Sequence, residues 1–153
     1  MADTSLIESK IGLLIWKTSN VWQSNLRKIL YHYNLSLNEY LILQTILSLN
    51  ESKSNTYQNE IADYAGIDIT VVSVTLKLLE RKNYVNRSIK NDNRKKIIKI
   101  LREGEILFKS ISPLINDEEN KMFNKLDDET FNFTNSLKLI LGKKIRIKAE
   151  KQN

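Results

Sequence analysis

The chain has 153 residues, 41% of them hydrophobic, which suits one domain with a core of its own. A net charge of +6 and a pI near 9.4 favour a polyanionic partner. With no Cys and one His, neither a His/Cys zinc site nor a Cys-His or Ser-His nucleophile has support, so no metal, cofactor or enzyme activity is expected.

One Pro and four Gly, with little β alternation, predict a mainly α protein with short connections. Residues 1–9 hold two acids and no apolar stretch of signal-peptide length, and no apolar run is long enough for a membrane span. A cytoplasmic protein is therefore expected. The carboxylate pairs Glu118–Glu119 and Asp127–Asp128 fall at helix boundaries, where capping and solvation account for them.

The first predicted helix runs from about Thr4 to Tyr33, with Ile7, Ile11, Leu14, Trp22, Leu26, Ile29 and Tyr33 in helical register. Leu13, Ile15, Trp16 and Val21 add apolar surface on other sides, more than one small domain can cover, so a second copy of the chain is the simplest cover. A second helix follows Leu35–Asn38, with Ser36 or Asn38 as its cap and Leu37, Tyr40, Leu41, Leu43, Ile46 and Leu47 along it. The polar loop at residues 50–55 then leads to a third helix beginning at Thr56 and stopping at Gly66.

A further helix starts at once, with Asp68 as its N-cap. The spacing of Val71, Val74, Leu78 and Leu79 predicts the buried face. Thr70, Ser73, Thr75 and Lys77 then form an outer face of short polar side chains able to enter a DNA major groove. After it the period becomes alternating, with Val85 and Arg87 in one strand, Ile98 and Ile100 in another, and the polar tip KNDNRKK between them. From Arg81 to Arg102 there are nine Lys or Arg and one acid, Asp92. A basic hairpin directly after a helix-turn-helix points to a wing that contacts phosphate, through Arg87, Lys90, Arg94, Lys95 and Lys96.

Beyond the wing, residues 102–122 predict a helix kinked or broken near Ser110–Ser112 by Pro113. A last helix carries Phe131, Phe133, Leu137, Ile140 and Leu141, with Asp127 as its N-cap. The basic, partly apolar tail after Gly142 has the composition of a membrane-surface segment. Completion of an oligomer helix is the preferred reading, and no membrane partner is expected.

The stretch from Glu60 resembles the multiple antibiotic resistance regulator (MarR) family of winged-helix transcription factors. EIADYAG at 60–66, DITVVSVTLKLLE at 68–80, YVNR at 84–87, Asp92-Asn93-Arg94 and Gly104 match that family's pattern without a gap. The resemblance implies a winged helix-turn-helix at about 36–101 within a single domain of 1–153. Dimerisation helices are then expected at about 4–33 and 102–148. It also implies a wing Arg94, held by Asp92, in or near the minor groove. Relatives often bind a small aromatic or anionic effector, for which Trp16, Tyr31, His32 and Tyr40 are candidate lining residues, with plain core packing as the alternative. Three departures stand out. Ile69 and Val74 replace polar or basic side chains of the recognition helix, Leu101 replaces a capping Thr, and thiol-based sensing is excluded by the absence of Cys. The function implied is a homodimeric, sequence-selective regulator binding double-stranded DNA at an inverted repeat. The alternatives are a winged-helix protein-interaction adaptor and a low-specificity nucleoid-type binder.

Overall fold

The structure, a computed structural model, describes residues 10–89 and 95–143. Its elements in order are α1 (Ile11–Tyr31), α2 (Leu37–Ser52), α3 (Gln58–Ala65), α4 (Ile69–Arg81), β1 (Val85–Ile89), β2 (Lys96–Ile100), α5 (Arg102–Phe123), a 3₁₀ turn (Asn124–Glu129) and α6 (Thr130–Ile140). The chain divides into two compact units, Met1–Asn116 and Asp117–Asn153. This is the predicted mainly α winged helix-turn-helix, with its wing rooted in an antiparallel hairpin.

Helix α2 is the centre of the first unit because its apolar residues face several neighbours at once. Ile42, Leu43 and Ile46 are fully buried with Leu26 and Leu30 of α1, Ile61 of α3, Val72, Leu76 and Leu79 of α4, and Ile98 of β2. Tyr40 stacks on Phe108 of α5, ring centroids 5.3 Å apart. The start of α2 is a full capping box. Ser36 Oγ accepts from the Glu39 amide, and Glu39 Oε1 accepts from the Ser36 amide, both at 3.1 Å. The other Glu39 oxygen accepts from Lys82 Nζ at 2.8 Å, and Lys82 also donates to the Asn34 carbonyl at 2.6 Å. Thus one buried carboxylate ties the α1–α2 turn to the end of α4.

Strands β1 and β2 pair in the register Val85↔Ile100 to Ile89↔Lys96. The other edge of β2 is covered from α2 and the loop after it, so it offers no free strand edge there. Ile98 N donates to the Thr56 carbonyl at 2.8 Å, Tyr57 bridges Ile97, and Asn50 accepts from Ile100 N at 3.0 Å while donating to the Ile98 carbonyl. Thr56 is consequently a fully buried strand partner, and α3 begins two residues later than the sequence suggested. Gly66 ends α3 with φ +66°, the left-handed turn expected of it.

Helix α5 passes through Pro113 without a break. Pro113 is exposed, so the carbonyl that loses its amide partner can reach water, while Ile111 and Ile115 on the inner face anchor the helix to the core. Leu101 N donates to the Tyr84 carbonyl at 2.9 Å, joining the entry of α5 to the turn before β1. In the second unit α6 begins at Thr130, and Asp127 is not its cap. Asp127 instead adopts φ +45° inside the preceding turn, and its carbonyl accepts from Thr130 Oγ1 at 2.8 Å. No described residue of this unit is buried, and Leu137, Leu139, Ile140 and Leu141 are exposed. The predicted tail lies outside the described residues from Lys144 onward. Among the described residues no helix is long and apolar enough to cross a membrane.

Candidate nucleic-acid interface

Asp68 starts α4 as predicted, its carboxylate accepting from Thr70 N at 2.8 Å. The helix is turned, however, by about one residue from the sequence reading. Val72, Thr75, Leu76 and Leu79 are buried, whereas Val71, Val74 and Leu78 are exposed. Thr75 therefore does not belong to the outer face: it is buried, and its hydroxyl donates to the Val71 carbonyl at 2.7 Å. Both rows are apolar at helical spacing, so periodicity alone does not choose between them. Docking of Val72, Leu76 and Leu79 into the α2 core does.

On the outer side Ile69, Ser73 and Lys77, one turn apart, form one wall of an open groove of about 540 Å³. The wing supplies the other wall through Arg87, Lys95 and Lys96, and Tyr57, Gln58 and Asn59 at the start of α3 close one end. Among the described residues no acidic side chain lines the groove. Lys95 Nζ stands 5.8 Å from the centroid of the Tyr57 ring, a cation–π contact that orients an ammonium beside α3. Gln58 donates to the Ile69 carbonyl at 3.4 Å and so links the starts of the two helices. The sequence reading missed Tyr57, Gln58 and Asn59. Their signal was their position at the N-terminus of the first helix of a helix-turn-helix, where amides face outward.

Arg87 is not a free cation. Its side chain is 10% exposed, and its Nε pairs with Glu80 of α4, fixing the wing root to the recognition helix. Lys82, counted in the basic run, is likewise engaged by Glu39. Thr70, Lys77, Lys95 and Lys96 are exposed and Ser73 half-exposed, so these remain available. Lys90, Asp92 and Arg94 lie outside the described residues.

The four candidate effector residues are not assembled in one place. Tyr40 is buried against Phe108. Tyr31 and His32 meet edge to face at 6.0 Å on the surface and line an open hollow with Ser24, Arg27 and Lys28. Trp16 lies fifteen positions before Tyr31 on the same helix, about 22 Å away along its axis. Among the described residues no cluster of His, Asp or Glu could hold a metal ion.

This arrangement agrees with the comparison to protein families, in which the MarR family model matches residues 35–97. That match spans 63 of the 153 residues. A curated relative, an uncharacterized HTH-type transcriptional regulator, YdcH, of Bacillus subtilis, is 23% identical over 92 residues. That stretch is 60% of this chain and 63% of the relative, so the match spans less than two thirds of its length. Among solved structures, a MarR-family transcriptional regulator from Rhodococcus sp. RHA1 superposes with TM-score 0.80 at 19% identity, covering 94% of this chain and all of that one. The S. aureus MepR–DNA complex gives TM-score 0.77 at 19% identity, over 88% of this chain and 96% of MepR. The MarR fold thus extends well beyond the stretch matched in sequence.

Proposed function

We propose that this protein is a MarR-family transcriptional regulator that binds double-stranded DNA as a homodimer on an inverted-repeat operator. The observation that carries the reading is the groove between α4 and the wing, walled by Lys77 on one side and Lys95 and Lys96 on the other, with no acid among the described residues that line it. A phosphate backbone passing through it meets cations on both walls and hydroxyls from Thr70 and Ser73. Solved MepR carries DNA on the same fold. Asp68, Lys82 and Arg87 serve in holding the scaffold. The wing's remaining reach is assigned to Lys90 and Arg94, with Asp92 orienting Arg94 toward a narrow minor groove. No catalytic step enters this reading, and its site of action is the cytoplasm.

Exposed apolar side chains support the dimer. Ile11, Leu14, Ile15, Trp16 and Val21 of α1, and Leu139, Ile140 and Leu141 at the end of the second unit, lie open to solvent in one chain. A second copy covers them and sets two recognition helices on half-sites about 34–36 Å apart. A small aromatic or anionic effector would suit the Tyr31–His32 hollow, whose rim carries Arg27 and Lys28. Unchanged DNA affinity and unchanged Trp fluorescence across a panel of phenolic acids would count against that assignment.

The direct test is recovery and sequencing of source-genome fragments bound at about 0.15 M salt, beside an Arg94→Ala variant. Enrichment of a few inverted repeats, lost in the variant, is the expected result. Even recovery of all sequences would indicate a nucleoid-type binder. A protein-docking adaptor is the second reading, favoured by the exposure of Ile69 and Val74 on α4. Salt dependence separates it from DNA binding. With about five cations on phosphate per subunit (Lys77, Lys90, Arg94, Lys95, Lys96), about ten in the dimer, log affinity should fall against log salt with a slope near 9.

A further inference from the structure

Ile69 and Val74 are large apolar side chains exposed on α4, Ile69 lining the basic groove and Val74 standing about 140° around the helix from it, on the outward side. Ile69 is 49% exposed and Val74 55% exposed. Each residue turns a helix by about 100°. With Val72, Thr75, Leu76 and Leu79 pointing inward, the outward direction passes through Thr70, Val74, Lys77 and Arg81. The next row toward the wing is Ile69, Ser73 and Lys77. The first two turns of the helix, those that lead into a major groove, therefore present Ile69, Thr70, Ser73 and Val74. Val71 and Leu78 lie on the opposite flank, away from the wing.

The surface that receives these turns must combine two properties. It must carry negative charge to satisfy Lys77, Lys95 and Lys96, and it must offer hydrocarbon to Ile69 and Val74. Within the major groove the thymine C5 methyl is the one hydrocarbon substituent on a base edge, and apolar side chains pack on it. The same two turns hold no Arg, Lys, Asn or Gln, so none of the two-pronged contacts to guanine or adenine can come from them. Ser and Thr accept or donate to any base edge and leave the choice to the methyl contacts.

We infer that the recognition helix selects its half-site by packing Val74 and Ile69 against thymine methyl groups, making the preferred ligand a duplex with thymines clustered at the helix contact. This rests on the DNA-binding reading above and names the sequence class that it takes. Thymine specificity arises from hydrocarbon burial, and guanine specificity is weak.

The test begins with selection from a random duplex library at low salt. The best-bound duplex is then resynthesised with deoxyuridine for thymine at one position at a time, which removes the methyl and leaves base pairing intact. Each contacted methyl should be worth about fourfold in affinity. Val74→Ala and Ile69→Ala should each abolish the penalty at their own position and leave the other unchanged. Both residues are exposed, so both variants should melt at the wild-type temperature. A deoxyuridine penalty that persists undiminished in both variants overturns the inference, as does a selected site without thymine at the contact. A wild-type protein that binds but shows no deoxyuridine penalty overturns it too, leaving the DNA-binding reading intact. Failure to bind any duplex at low salt overturns both.

Discussion

Gly104 shows how a single missing side chain fixes the position of the wing. A Cβ at Gly104 would stand 2.3 Å from the Tyr84 carbonyl oxygen, which already accepts from Leu101 N. Because the obstruction is backbone, it cannot swing away. Gly104→Ala should cost about 1–3 kcal/mol in urea unfolding, although Ala is ordinarily the better helix residue. Asn50 holds the other side of the same hairpin through Thr56 Oγ1, the Ile98 carbonyl and Ile100 N. Removing it strands part-buried polar groups of β2, so Asn50→Ala should lose about 1–3 kcal/mol. It should also weaken DNA binding beyond what unfolding explains, since the wing loses its fixed height above α4. Titration of the folded fraction with duplex, at a temperature where both proteins are native, separates the two effects. A match at Gly104 was legible from the sequence, because glycine there completed a pattern of offsets. The role of Asn50 was not, because the run of polar residues at 50–55 reads as a solvated loop, whereas Asn50 stands in α2 and its partners lie 48 and 50 positions away.

Helix α4 illustrates what periodicity can and cannot resolve. The existence of the helix, its Asp68 cap and the preceding Gly66 turn followed from local chemistry, and the structure agrees on each. Its rotation did not follow, because Val71, Val74 and Leu78 and Val72, Leu76 and Leu79 both follow the three-or-four spacing of a helix face. Only the tertiary contacts with α2 choose between the two rows. Alanine substitution distinguishes them sharply. Val72→Ala, at a fully buried position, should cost about 2–3 kcal/mol, whereas Val71→Ala and Val74→Ala should stay within about 0.5 kcal/mol. Larger losses at Val71 and Val74 than at Val72 would mean that the helix is rotated from the orientation described. Arg87 belongs to the same lesson. Its place in a basic run marks it as a phosphate ligand, yet the strand alternation that points Val85 inward points Arg87 inward as well, toward Glu80. Helix α5 carries the converse case, since Pro113 predicted a kink or a break, and the helix, anchored by Ile111 and Ile115, runs through it without a break. Pro113→Ala should raise stability by about 1–3 kcal/mol by restoring an amide donor on an exposed face.

At the scale of the whole molecule the distribution of apolar surface is lopsided. The first unit has a packed core around α2, yet α1 leaves Ile11, Ile15 and Trp16 open, and the second unit has no buried residue among those described. A chain with that surface should associate, because each exposed aliphatic or aromatic side chain forgoes roughly 1.5–3 kcal/mol of burial. The excess was legible in the sequence, since apolar residues on several sides of one long helix need a cover whatever the fold. What covers them was not, because self-complementarity is a property of shape. Trp16 offers a direct readout, being 63% exposed in the single chain while Trp22 is packed against the core. In a dimer, Trp16 is shielded. Quenching of Trp fluorescence by acrylamide should therefore rise on dilution through the dissociation constant, and the melting temperature should fall over the same concentrations. Trp16→Lys, which places a charge in the covered face, should give the diluted behaviour at every concentration and sediment as a monomer. It should also lose most operator affinity, because a lone subunit engages only one half-site. Concentration-independent quenching with Trp16 accessible throughout would instead leave α1 as a surface awaiting a different partner.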